Sequence, residues 1–255
     1  MSGYIKTAFA TLFITVAVIA LDTHCFAQSV DTMQKESAKR KTVVKSTARI
    51  HNRGLFSYGG RVSSNHPAFD INLIYEREQW GLLCYKALDL KDHTSSNNFA
   101  LMALYKNFKI GSRLTFTPHV GFFLEQPHSV ADEGSDATVI AVTTYKFNKH
   151  FSIDHTALLG NLLIETEHLD WVNRVRFQFT SGHIDITVTA WHNNHTFDTN
   201  DYASGALTIA YNRLKVSRKL NLNFSVTDIA MIQSSNNESV PRENNLVATM
   251  ALQFV

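Results

Sequence analysis

Along most of this chain, apolar and polar positions alternate with a period of two. In residues 220–227 (LNLNFSVT) every second residue is apolar and the others are Asn, Ser or Thr. Residues 184–190 (IDITVTA) repeat the pattern, and Phe69, Ile71, Leu73 and Tyr75 oppose Asp70, Asn72 and Ile74. Further along, Val175, Phe177 and Phe179 oppose Arg174, Arg176 and Gln178. This is the pattern of strands with one face in an apolar medium and one in a polar one. Segments of this kind fall at about 54–63, 68–77, 79–89, 98–107, 111–125, 136–147, 149–160, 170–180, 182–192, 202–213, 219–232 and 245–255. Two of them, 98–107 and 136–147, are apolar on both faces, so their phase stays open. In the last, Leu246, Ala248, Met250, Leu252 and Phe254 share one face. That segment is expected to close a barrel by pairing with the first, near residues 55–62. Pro118, in mid-segment, lacks a ladder donor and predicts a bulge.

The connections alternate in length. Short ones fall at 76–79, 106–110, 147–149 and 180–182, with a longer one at 213–218. Long ones fall at 90–97, 126–135, 161–169, 193–201 and 233–244, and 63–67 is the shortest of that set. Charge follows length. Acidic residues such as Asp89, Glu125, Asp132, Glu165, Asp198 and Glu243 gather at the long connections, whereas Lys106, Lys109, Lys146, Lys149, Arg213 and Lys215 mark the short ones. Aromatic residues cluster at both ends: Tyr75, Trp80, Tyr105, Phe108, Tyr145, Phe147, Phe151 and Tyr211 by the short turns, and Phe69, Phe122, Trp171, Trp191, Phe197 and Tyr202 by the long ones. Strands of about 9–11 residues, short turns on one side, long loops on the other and two aromatic girdles suit a transmembrane barrel. The fold class expected is therefore all-β: a closed antiparallel transmembrane β-barrel of about twelve strands.

The ends of the chain bear on where such a barrel would sit. Lys6 precedes an uncharged run over residues 7–21, short for a spanning helix of about 20 residues, and Cys25-Phe26-Ala27 supplies a small-residue site. Residues 1–27 are read as a secretory signal peptide cut after Ala27, and 28–53 as a basic periplasmic leader ahead of the barrel at 54–255. Cys84 is then the sole cysteine, so no intrachain disulfide forms. The formal net charge of +2 hardly changes when Lys6 and Asp22 leave together, and it is too balanced to suggest nucleic acid.

The signal peptide, the alternating strands, the short and long connections and the final Leu252-Gln253-Phe254-Val255 resemble bacterial outer-membrane β-barrel proteins, over about residues 54–255. The resemblance implies insertion in the outer membrane, contact with its lipid and lipopolysaccharide, and recognition of Leu252 and Phe254 by the barrel-assembly machinery. Val255 after Phe254 departs from an aromatic C-terminus. Other envelope proteins are further candidate partners.

Candidate chemistry lies on the expected lumen face. Arg174, Arg176, Arg113, Asp154, Asp185 and Lys86 are the expected pore-lining residues, with Arg174 and Arg176 as an anion-attracting constriction. Internal ion pairing of those arginines with Asp154 and Asp185 competes with that reading. His192, His195, Asp198 and Asp201 carry metal-ligand chemistry, but a flexible polar loop accounts for them as well. No catalytic set is legible. Some outer-membrane barrels resemble lipid hydrolases with a His-x-Ser pair on one strand face, which this chain lacks, leaving His119 as the one intramembrane candidate base. No cofactor is indicated. The leading expectation is a porin-like channel for small solutes. Behind it come a structural or partner-binding envelope barrel and a lipid-modifying enzyme.

Overall fold

A computed structural model describes residues 42–54, 60–62, 64–92, 98–125, 137–160, 162–163, 169–195, 200–235 and 243–254. Within them the chain forms β1 (Thr42–His51), β2 (Ala68–Arg77), β3 (Trp80–Asp89), β4 (Phe99–Lys106), β5 (Phe108–Ile110), β6 (Leu114–Glu125), β7 (Ala137–Lys146), β8 (Phe151–Gly160), β9 (Asp170–Ser181), β10 (Ile184–His195), β11 (Asn200–Ser217), β12 (Leu220–Ser234) and β13 (Asn244–Phe254). Chain neighbours pair antiparallel except β4 and β5, which both pair with β6, and β13 pairs with β1. The sheet is thus a closed barrel. Because β5 continues the line of β4 along β6, the wall has twelve staves.

The break between β4 and β5 has a local cause. Tyr105 pairs with His119 and Phe108 with Phe116, so Asn107 lies opposite the Thr117–Pro118 step. Proline has no N–H to give there. Asn107 donates its N–H toward the β3 side, to the Gln79 carbonyl at 2.7 Å, and its side-chain oxygen accepts from the Thr117 hydroxyl at 2.9 Å. The expected bulge at Pro118 is not found. Its pairing with Ala141 on β7 is in register, and the missing donor interrupts the other neighbour.

Eleven expected segments match observed strands closely, and one does not. The first strand is Thr42–His51, inside the segment expected as a leader, and not 54–63. Its residues alternate between the two faces. Val44, Ala48 and Ile50 face out while Lys45, Thr47, Arg49 and His51 face in, so charges belonging to a lumen wall read as a solvated basic run. With β1 there, the β1–β2 connection spans residues 52–67 and joins the long set. Residues 1–41, including the expected signal peptide and its cleavage site, lie outside the described residues.

Directly paired residues point to one face of a sheet, which fixes the two walls. Outward lie exposed Ile71, Leu73, Leu104, Val120, Phe177, Val188, Leu207, Ile209, Phe224, Val226 and Met250. In water a skin of this extent marks an interaction surface, and in a bilayer it is the solvated face. Tyr75, Phe147, Phe151, Tyr211 and Phe254 are exposed at the turn end, and Phe122 and Trp171 toward the loop end. Tyr105, Trp191 and Tyr202, expected in these belts, are instead buried on the inner wall. Two turns show their chemistry: Gly111 and Gly182 take φ of +66° and +57° with open space around them, the left-handed geometry glycine adopts at least cost. That is the architecture of a closed transmembrane β-barrel.

Candidate functional site

The inner wall is layered. Toward the loop end, one inward residue from each of seven successive strands, β7 to β13, forms an apolar layer: Ile140, Leu158, Val172, Trp191, Ala206, Ile229 and Val247. The β1–β2 connection reaches into it. Val62 packs against the layer, and Arg61 holds its guanidinium 5.8 Å from the centre of the Tyr202 ring. Gly60, at φ +70°, lies so close that an added Cβ would stand 2.5 Å from Trp191 Cγ and Ser204 Oγ. Only glycine fits that contact. A second cluster of Ala68, Ala87 and Phe99, with Tyr85 and Phe123, packs the facing wall from β2, β3, β4 and β6.

Below these layers the lumen is charged, and its charges are paired. Asp70, 1% exposed, receives Arg49 at 2.8 Å (Nε) and 2.7 Å (Nη2) and His51 Nε2 at 2.7 Å. The other His51 nitrogen lies 2.8 Å from the Thr249 hydroxyl, so this network ties β2 to β1 and β1 to β13. Asp154, 4% exposed, receives Arg176 Nε at 2.7 Å and stands 3.7 Å from Arg174, which also donates to the Thr156 hydroxyl at 2.9 Å. A buried carboxylate needs such partners, since breaking a buried pair costs about 3–5 kcal/mol. Near the turns, Glu76 accepts from Lys45 at 3.2 Å and from the Tyr105 hydroxyl at 2.9 Å. That lysine is half exposed, and pairs of this kind contribute about 0–1 kcal/mol.

Between β10–β13 and β1, toward the turn end, a cavity of about 410 Å³ opens on the inner wall. Thr47, Thr208, Ser225 and Thr249 supply hydroxyls to it, Asn212, Asn223 and Gln253 supply amides, and Arg49, Arg213 and Asp185 supply charges. Arg213 reaches the lumen through a bulge. Its φ is +67°, the β11–β12 register shifts between Tyr211 and Leu214, and its N–H bonds to Asn223 Oδ1 at 2.7 Å. Bulges re-aim side chains in this way, and the guanidinium lands 3.4 Å from Asp185 Oδ1.

The expected pore-lining residues divide. Arg174, Arg176, Asp154 and Asp185 are on the inner wall. Asp154 pairs with both arginines, as the ion-pairing reading expected. Asp185 does not: Arg176 is level with Thr189, four residues away on β10, and Asp185 bonds Asn212 and Arg213 instead. Lys86 pairs across β3 with Ile71 and Ala100 and so faces outward; Leu82 to Tyr85 are apolar on both faces and gave no phase. Arg113 belongs to the exposed turn at 111–113 and lies off the inner wall. His119 faces the lumen with its ring 4.9 Å from that of Tyr105. On the opposite face from the lumen, His192 bonds Asp201 at 2.9 Å, whereas Asp198 and the His195 side chain lie outside what is described. Among the described residues no cluster of three metal-ligating side chains forms. Leu252 and Phe254 face outward, registered with Ala48 and Ser46. Missed altogether were Arg49 and His51, hidden in the basic run, and Gly60 with Trp191, whose contact has no sequence signal.

No family model matches the chain, and no curated protein matches it. Among solved structures it is similar to OccAB3 of Acinetobacter baumannii, at 8% identity over 80% of this chain and 59% of that one, with a TM-score of 0.39. It is also similar to the NanC porin (7% identity, 84% of this chain, 100% of that one, TM-score 0.48). An outer-membrane channel of Pseudomonas putida F1 matches at 9% identity over 89% and 99% of the two chains, with a TM-score of 0.45. The chain spans about three-fifths of the length of OccAB3. What the lumen does is read from its own residues.

Proposed function

We propose that this protein spans the bacterial outer membrane and conducts small polar solutes through its lumen. The observation that carries the reading is the inversion of the wall: an apolar outer face encloses an inner face bearing Arg49, Asp70, Asp154, Arg174, Arg176 and Asp185 around a polar cavity. A closed barrel satisfies its backbone groups within itself, which suits it to a bilayer. The basic turns then lie in the periplasm and the acidic connections outside, in contact with lipopolysaccharide. Leu252 and Phe254 present the outward face that an assembly machinery would meet. Gly60 and Val62 of the β1–β2 connection, packed against the layer that contains Trp191, narrow the path and lower its conductance. The alternatives, a structural envelope barrel and a lipid-modifying enzyme, have no specific observation in their favour.

Two measurements test this. Cell fractionation should recover the protein with outer membranes; recovery from the soluble periplasm would sink the assignment. In planar bilayers the purified barrel should give discrete, small single-channel steps. A silent bilayer containing folded protein would remove the transport role and favour the structural reading.

A further inference from the structure

Resting on the channel reading, the structure assigns a solute class: we infer that the 410 Å³ inner-wall cavity is a binding station for small neutral polyhydroxylated molecules of sugar type. Its volume falls within the range of about 300–1,000 Å³ typical of ligand sites. Its lining decides the chemistry. Thr47, Ser225 and Thr249 offer hydroxyls, and Asn212, Asn223 and Gln253 offer amides, from four adjacent strands. Both group types donate and accept, the capacity that a ring of solute hydroxyls requires. Among the described residues, the side chains of Thr47, Ser225 and Gln253 form no hydrogen bond with other side chains, so they are left to solvent or solute.

The charges around this wall cancel locally. Arg49 is held by Asp70, and Arg213 by Asp185, which Asn212 also contacts. An anion or cation entering the cavity would shed water without meeting an uncommitted counter-charge, which is costly. A neutral hydroxylated solute exchanges hydrogen bonds to water for hydrogen bonds to the wall at little cost. An apolar solute would leave the lining unsatisfied. Phe224 borders the cavity, but its side chain lies on the exposed outer face, so recognition proceeds by hydrogen bonding and not by ring stacking. The apolar layer of Trp191, Val247 and Ile229 lies farther toward the loop end. The station is accordingly entered and left most readily from the turn side.

Ligand-detected NMR titration of the detergent-folded barrel, with glucose, gluconate and glucosamine as matched probes, tests the assignment without requiring transport. Glucose should bind saturably, with Kd roughly millimolar, and the charged probes should bind several-fold more weakly. Ser225→Ala combined with Gln253→Leu should weaken glucose binding about tenfold, as two lost hydrogen bonds imply, while the barrel stays heat-modifiable on gels. Tighter binding of gluconate or glucosamine, or no saturable glucose binding, would overturn the inference. Current measured separately in bilayers tells the two proposals apart: conduction without glucose binding sinks only the solute class, and binding without conduction sinks only the channel.

Discussion

Asp154 stands between two arginines on the next strand, and its side chain is almost wholly enclosed. A lone carboxylate there would be untenable, and two unpaired guanidinium groups on the same wall would repel each other. Substituting Asp154→Asn keeps the shape and removes the charge. The folded barrel should lose about 3 kcal/mol in urea unfolding, toward the lower end for a broken buried pair because Arg176 is partly solvated. With two arginines then uncompensated, the reversal potential under a salt gradient should move toward anion selectivity. An unchanged potential would mean that ions do not pass this wall. Residue by residue, the sequence was a fair guide where a strand had one clearly apolar face, as in Val175 to Phe179. It failed at Lys86, because a strand apolar on both faces does not say which side its single charge occupies.

Among the described residues, part of the connection between β1 and β2 packs into the lumen. Gly60 rests on Trp191 and Ser204, and Val62 joins the apolar layer. Any side chain at position 60 must displace one of these contacts, and its positive φ disfavours L residues besides. Gly60→Val should therefore lift the connection out of the lumen and raise single-channel conductance severalfold. Trp191→Ala should also raise conductance, by removing the surface the connection rests on, and should cost about 3–5 kcal/mol of stability. Equal conductance in wild type and both variants would show that the path avoids this layer. Nothing in the residues 52–67 announces this role, since an inward-folded connection and an outward one have similar compositions.

At the scale of the whole barrel, closure depends on the seam where β1 meets β13. The register there runs over six pairs, Ser46 with Phe254 through His51 with Thr249, while β1 and β2 pair over ten. Side chains reinforce it: His51 bonds Thr249 and Asp70, Asn52 bonds the Ala248 N–H at 2.8 Å, and Arg53 bonds Asn245 at 3.1 Å. Deleting residues 42–51 would leave β2 and β13 with open edges, which a bilayer does not tolerate. Such a variant should show no folded, heat-modifiable band, whereas removing residues 1–27 from protein refolded in detergent should leave that band intact. If the 42–51 deletion still folds, the seam is not what closes the barrel.

The sequence by itself determined the class of fold, eleven of the staves, the rhythm of turns and connections, and which face of most strands meets lipid. Those features are repeated and local: a period of two and a turn of two or three residues carry their own signal. The tertiary structure decided the rest. Where the first stave lies, that Asp185 answers Arg213 and not Arg176, that Gly60 is pressed against Trp191, and that hydroxyls and amides from both ends of the chain share one cavity all depend on closure and stagger. These bring residues about 200 positions apart into register, as His51 with Thr249, and no local pattern encodes a distance of that kind.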